Sequence, residues 1–437
     1  MVGKLCPVDT GRNTRWSSDA GIGVPRLILQ SHTYETSSLR IYFCFSTTGL
    51  SKLCYRERVV RFWSLLLRLY PFEMERWQST WENRVEYNLS ESGVQPIQVD
   101  ELVNDADLLM RQKLGYTQTN GTDELRTLIA SMYPEANKDD ILVTNGGSEA
   151  NFVALFSFLD RGIEIAVMLP NYMQAWGLAK TFRANVRPMW MRVKDGEWIL
   201  DSANLRKAVN RRTKLIAVCN PNNPTGAVLY EDDLDRIRRE AEKAGAWILS
   251  DEVYRGTELD GRETPTLLGR YGKTIVTSGL SKAYGLPGLR IGWIAAKRQA
   301  AKLWAYRDYT TIGPGALSDY LARRVLQPQT RQRILDRTRN ILRSNLPSVT
   351  RWVEQNGGII SFVKPRATAI VYLKYSLDIG STKLAQQLLA EKKTLIVPGS
   401  HFQMGRYLRI GYGGARDQLD IGLARVGELL QTLKACD

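Results

Sequence analysis

The chain has 437 residues, 43% apolar and 24% charged, which is ample for two sub-domains around a sizeable core. Its net charge of +15 is scattered among acids, and no basic stripe with interleaved aromatics appears, which argues against a nucleic-acid binder. No stretch reaches the roughly eighteen apolar residues of a membrane helix. Five cysteines without paired or metal-like spacing and only two histidines argue against a histidine-based metal site or triad, and fit a reduced, cytoplasmic setting.

Residues 1–69 read differently from everything after them. Three of the five cysteines lie there, and residues 1–72 hold ten Lys and Arg against four Asp and Glu. The ordered regions of a secretory signal are missing; the Arg and Ser content leaves a mitochondrial presequence open, although Asp and Gly weaken it. This stretch is read as a poorly ordered extension or a mis-joined translation start, with Met74 a candidate beginning, and no catalytic group is assigned to it.

From Tyr70 onward the pattern is that of a folded enzyme. Residues 86–96 predict a short strand ending in a turn at Gly93, and residues 99–114 predict a helix. A loop from Gly115 leads to Thr122, which caps a helix over 123–132. Six β-like runs then alternate with helical segments: 141–144, 165–169, 186–191, 215–219, 246–250 and 274–277. Such alternation predicts an α/β fold with a mainly parallel sheet wrapped by helices. Helical residues 330–355 bridge to a smaller α+β unit, with strands within 358–375, 395–397 and 407–411 and helices over 381–392 and 416–435. The expected organisation is an extension (1–69), a first part of the small domain (70–114), a large domain (115–330) and the rest of the small domain (331–437).

Ligands of such sheets sit beyond the carboxyl ends of the strands, and the chemistry-bearing motifs fall there. Asn145-Gly146-Gly147-Ser148 opens a helix after the first run, offering free N–H groups and a helix dipole to a phosphate. Asn220-Pro221-Asn222-Asn223-Pro224 follows another run. Asp251 ends an apolar run, a costly place for an acid without a cation partner. Lys282 lies in the glycine-rich stretch 278–290, placed to form a Schiff base with an aldehyde.

The ordered set Asn223, Asp251, Tyr254, Lys282 and Arg290, with Gly146-Gly147 before it and Arg409 after it, resembles the fold-type I pyridoxal-phosphate enzymes. The particular resemblance is to the class I/II aminotransferases related to aspartate aminotransferase, over about residues 70–435. Asn223 and Asp251 are 28 positions apart, Asp251 and Tyr254 three, Lys282 and Arg290 eight. The resemblance implies pyridoxal 5'-phosphate as cofactor, with Lys282 as its attachment point and proton-moving base. It places Asp251 against the pyridine nitrogen, and Tyr254 and Asn223 at the 3' oxygen. Arg290 would hold the phosphate with Gly147 and Ser148, and Tyr172 would stack on the ring. Arg409 matches the arginine that grips a substrate α-carboxylate, near which Asn223 and Gly93 would also lie. Tyr116 matches a tyrosine that reaches the neighbouring subunit's phosphate, so a homodimer is implied.

The chain also departs from the family's pattern. Gly279 stands where many relatives have a phosphate-binding serine, which leaves Ser278, Ser281 or neither for that contact. No counterpart of the second, dicarboxylate-selecting arginine is found. The run from Gly279 to Arg290 and the segment Leu89-Ser90-Glu91-Ser92-Gly93 look more like the branch containing capreomycidine synthase. The expected reaction is amino transfer between an amino acid and a 2-oxo acid, with a lyase or cyclase as the alternative. A DNA-binding regulator on the same fold would need paired helices with a basic recognition face in residues 1–69, and none is apparent.

Overall fold

The computed structural model describes residues 69–103 and 106–436, together with two short N-terminal strands, β1 (Arg26–Ile28) and β2 (Tyr42–Cys44), which pair antiparallel. The expectation of a poorly ordered extension falls mostly on residues outside those described.

Residues 69–437 form one compact unit. After the two-residue β3 (Tyr87–Asn88) come eight strands that make the main sheet: β4 (Ile141–Thr144), β5 (Glu164–Leu169), β6 (Asn185–Lys194), β7 (Glu197–Leu200), β8 (Thr213–Cys219), β9 (Trp247–Asp251), β10 (Thr274–Gly279) and β11 (Gly292–Ala295). Their spatial order is β4-β11-β10-β9-β8-β5-β6-β7. The run from β10 to β6 is parallel, while β11 lies antiparallel between β4 and β10 and β7 is an antiparallel edge strand. Every residue of β4, β5, β10 and β11 is buried, as expected where helices cover both faces. Each buried Val, Leu or Ile contributes roughly 1.5–3 kcal/mol relative to exposure, which is why these apolar runs read so plainly as strands.

A second sheet is antiparallel throughout, in the order β12 (Ile360–Phe362), β13 (Ile370–Tyr375), β16 (Tyr407–Gly411) and β15 (Val397–Pro398). The helices Ser381–Lys392 and Arg416–Cys436 accompany it, and the 28-residue helix Pro328–Gln355 leads into it. The short β14 (Thr394–Leu395) pairs parallel with β3.

Two expectations need correction. The helix over 99–114 is a 3-10 turn at Val99–Glu101 and a single short helix, Ala106–Met110. Leu108, Met110 and Leu114 remain 46%, 81% and 78% exposed, so the second half of the segment buries too little apolar surface to hold a longer helix together. The strand over 86–96 is likewise only Tyr87–Asn88. Beyond it the backbone is tied singly, by Leu89 N–H to the Leu395 carbonyl, Gly411 N–H to Leu89 and Gln95 N–H to Gly413. Unforeseen was the helix Glu73–Trp81, whose Met74 and Gln78 are buried.

Candidate active site

Strand register brings the motifs together. Asp251 ends β9 between Cys219 of β8 and Thr277 of β10, and Lys282 follows β10 by three residues. A cavity of about 250 Å³ at these strand ends is lined by Gly147, Ser148, Tyr172, Asn223, Asp251, Tyr254, Ser281, Lys282 and Arg290. Nine of the residues predicted from the sequence therefore share one cavity.

Glycine is required where the phosphate-type turn meets the sheet. Gly146 has φ +90°, and a Cβ there would lie 2.2 Å from Arg290 Nη2. On β11, a Cβ on Gly292 would lie 2.3 Å from the Gly146 carbonyl carbon. Arg290 has φ +50° and donates to the Pro287 carbonyl (3.1 Å), Ser281 Oγ (3.4 Å) and the Asn145 carbonyl (3.4 Å). Its guanidinium is thereby held over the start of the helix Gly147–Phe156. A Cβ on Gly279 would press on the Ile291 carbonyl at 3.0 Å, so the backbone leaves little room for a side chain. The Ser278 hydroxyl donates to the Glu252 carbonyl, which leaves Ser281 as the serine of this stretch that lines the cavity.

Asp251 accepts from Asn151 Nδ2 at 2.8 Å and from Val253 N–H at 3.1 Å. Burial pushes its pKa above the ordinary carboxylate value, and these two donors act against that shift. Asn151 is in turn oriented by Thr277, whose hydroxyl donates to Asn151 Oδ1 at 2.6 Å. Lys282 Nζ donates to Glu91 Oε1 at 2.8 Å. Burial alone would lower the lysine pKa, but the charges of Glu91 and Tyr254 outweigh it and hold the ammonium above its usual value. Lys282 in turn draws the Glu91 carboxyl down to about 2. The Tyr254 phenol is 2% exposed, and burial raises its pKa.

Arg409 does not line the cavity. It is fully buried on β16, and its Nη1 donates to Asn223 Oδ1 (3.2 Å) and Met74 Sδ (3.4 Å). Its Nη2 donates to Gln78 Oε1 (3.0 Å) and the Ser90 carbonyl (2.7 Å), while Nε has no acceptor among the described residues. Asn223 also donates to the Tyr254 hydroxyl at 3.5 Å, so its amide links Arg409 to the cavity. Gly93 is buried in the loop beside Lys282, where a Cβ would meet Lys282 Cδ at 3.6 Å. Tyr116 is 89% exposed and stands apart from the cavity.

The sequence reading missed the N-terminal wall. Met74, Glu75 and Gln78 of the helix Glu73–Trp81, together with Glu82, Glu91 and Ser92, line the same cavity. Glu75 Oε1 accepts from the Tyr172 hydroxyl at 2.9 Å, and Phe72 packs edge-on against the Tyr172 ring at 5.1 Å. The signal present in the sequence was Glu91 within the segment 89–93 and Asn151 four residues after Gly147; neither was given a role.

The aminotransferase class I and II family matches residues 86–426. Among curated proteins, capreomycidine synthase of Streptomyces vinaceus is 28% identical over 313 residues, covering 71% of this chain and 80% of its own. Aromatic-amino-acid aminotransferase 2 of Thermococcus litoralis is 27% identical over 333 residues, covering 73% and 85%. A crystal structure of a pyridoxal phosphate-dependent aminotransferase from Streptococcus suis superposes with TM-score 0.78 at 32% identity, covering 84% of this chain and 99% of that one. A pyridoxal phosphate-dependent cyclase, OrfR, superposes with TM-score 0.76 at 26% identity, covering 84% and 98%. Fold and comparisons together define a fold-type I pyridoxal phosphate-dependent enzyme. The chain belongs to the aminotransferase class I and II family, and its cofactor is pyridoxal phosphate.

The residues present fit that group. A primary amine, a carboxylate steadied by two donors, and an arginine beside free helix N–H groups share a cavity of about 250 Å³. The Gly146 backbone comes closer to the Arg290 guanidinium than any side chain there would allow.

Proposed function

We propose that this enzyme moves an amino group between an amino acid and a 2-oxo acid. The observation supporting this reading is that Lys282, Asp251, Tyr254, Asn223 and Arg290, drawn from separate strand ends, line one cavity. Bound pyridoxal phosphate supplies an aldehyde that condenses with amines and a conjugated ring that accepts the electrons released at a substrate's α-carbon. Lys282 Nζ would attach to it and, once displaced by the substrate amine, would be free to take a proton from the substrate's α-carbon and give it back two atoms away, on the far side of the nitrogen. Asp251, held by Asn151 and the Val253 N–H, would keep a negative charge toward the ring nitrogen. Tyr254 and Asn223 would donate to the ring oxygen. Arg290, the Gly147 and Ser148 amides and Ser281 would bind the phosphate. Tyr172 would pack against the ring with Glu75 and Phe72 behind it.

Arg409 would bind the substrate carboxylate and orient the α-carbon. In the structure its Nη atoms are taken up by Gln78, Met74, Asn223 and the Ser90 carbonyl. Substrate entry would therefore move the helix Glu73–Trp81 or at least its Gln78 side chain. The exposed Tyr116, with Leu108, Met110 and Leu114 near it in the chain, supports a homodimer in which Tyr116 reaches a second copy's site.

A lyase or cyclase is the second reading, favoured by the similarity to capreomycidine synthase and to the cyclase OrfR. The same residues would release the same electrons, which an aminotransferase would return by reprotonation and a lyase or cyclase would use to expel a β- or γ-substituent as the leaving group. A half-reaction with loaded enzyme and single amino acids, without an oxo acid, separates the two. An aminotransferase releases one oxo acid per site, leaves its cofactor in the amine form and stops. A cyclase or lyase continues to turn over with its cofactor still an aldehyde.

A further inference from the structure

We propose that Glu91 is the positioning residue that sets the charge of the nitrogen at Lys282 Nζ. The inference rests on the reading of Lys282 as the cofactor-bearing lysine.

One carboxylate oxygen, Glu91 Oε1, accepts three hydrogen bonds: from Lys282 Nζ (2.8 Å), Ser92 N–H (2.8 Å) and Gly93 N–H (2.7 Å). The two backbone donors fix the carboxylate on its own loop, and the loop is fixed in turn. Leu89 N–H, Gly411 N–H and Gln95 N–H tie it to β14, to β16 and to the residues after β16. The approach is so close that a Cβ on Gly411 would lie 1.8 Å from the Glu91 carbonyl oxygen, and one on Gly413 2.3 Å from that of Gly93. Glu91 therefore presents its charge to Lys282 from a backbone with little freedom, 191 residues away in sequence.

Folding stability alone does not explain this pair, because the Glu91 side chain is 51% exposed and that of Lys282 25%, and water screens part of their attraction. Loop geometry does not need the charge either, because a glutamine carbonyl has the lone pairs to accept the Ser92 and Gly93 N–H groups, although more weakly than a carboxylate. What only a carboxylate supplies is a fixed negative charge at Nζ. It favours the protonated form of whichever nitrogen stands there, the free ammonium or the linkage to the cofactor, and it meets the ammonium formed when Lys282 takes the substrate's proton. Tyr254 and Arg409 also act on Lys282, the first raising and the second lowering its pKa. The other ionisable groups lining the cavity, Glu75, Glu82, Asp251, Cys219, Tyr172 and Arg290, are the same in every variant proposed below.

The test compares wild type with Glu91→Gln and Glu91→Asp by two readouts. The first is the pH midpoint of the visible absorbance of the loaded protein. The second, in protein freed of cofactor, is the pH dependence of Lys282 acylation by acetic anhydride, followed by mass spectrometry of the Lys282 peptide. Glu91→Gln is expected to lower both midpoints by about one unit or more, so that Lys282 acylates about tenfold faster at pH 8. Glu91→Asp, which keeps the charge, should fall between the two. Midpoints in Glu91→Gln that match wild type or move upward, in protein with unchanged thermal unfolding, overturn the proposal. The acylation readout needs no cofactor. If the cofactor proves to be attached elsewhere, the functional reading fails while the effect of Glu91 on Lys282 is still measured.

Discussion

Arg409 Nη2 donates to Gln78 Oε1 at 3.0 Å, so the guanidinium assigned to the substrate carboxylate is already engaged by a side chain 331 residues earlier in the chain. The partner comes from the helix Glu73–Trp81, which also supplies Met74 to Nη1.

Gln78 and a substrate carboxylate would compete for the same nitrogen. A hydrogen bond to a charged group contributes about 1.5–3 kcal/mol, so Gln78→Ala should lower KM for the amino acid about tenfold with little change in kcat. Steady-state kinetics on the preferred substrate check this. A raised KM would mean that Gln78 helps to hold the substrate.

Asn151→Leu removes the 2.8 Å donor from Asp251 and leaves Val253 N–H as its remaining hydrogen bond. Burial already pushes the Asp251 pKa upward, so the variant should carry less negative charge toward the ring nitrogen. The expected loss in kcat/KM is about 10- to 100-fold, corresponding to roughly 1.5–3 kcal/mol. An unchanged kcat/KM in the loaded variant would show that Asn151 does not act through Asp251.

Gly146→Ala places a Cβ against the Arg290 guanidinium at a residue with φ +90°. The backbone strain alone costs about 1–3 kcal/mol, and Arg290 must shift. Cofactor affinity measured by fluorescence titration should fall at least about tenfold, with a lower melting temperature. Wild-type affinity would mean that Arg290 is not a phosphate ligand.

His401 is held neutral. Burial, with Arg409 nearby, lowers its pKa from 6.5 to about 4. Between those values the unfolded chain binds the proton that the folded protein refuses, so stability falls as pH drops from about 6.5 through about 4. The melting temperature of wild type should therefore decline more over this range than that of His401→Phe. Parallel declines would contradict the assignment.

The sheet could be read from the sequence because its strands are apolar on both faces, and β4 begins and ends where expected. The cavity's sheet-side residues could be read because each sits at a strand end or just past one: Asp251 ends β9, and Gly147, Asn223 and Lys282 follow β4, β8 and β10. What the sequence hid was the other wall. Nothing local in residues 73–91 shows that Gln78 meets Arg409 or that Glu91 meets Lys282, because both contacts depend on how a distant chain segment docks. The 99–114 segment misled for the opposite reason. It is rich in apolar residues, but only those at its start, Leu102 and Val103, are buried, while Leu108, Met110 and Leu114 are left exposed in the single chain.

The central claim is that the cavity at the ends of β8, β9 and β10 carries the cofactor on Lys282. Borohydride reduction of the loaded protein, followed by digestion and mass spectrometry, tests it directly. A pyridoxyl modification on the Lys282 peptide alone, absent from Lys282→Ala, is the predicted result. Modification of another lysine, or its retention in Lys282→Ala, would contradict the account.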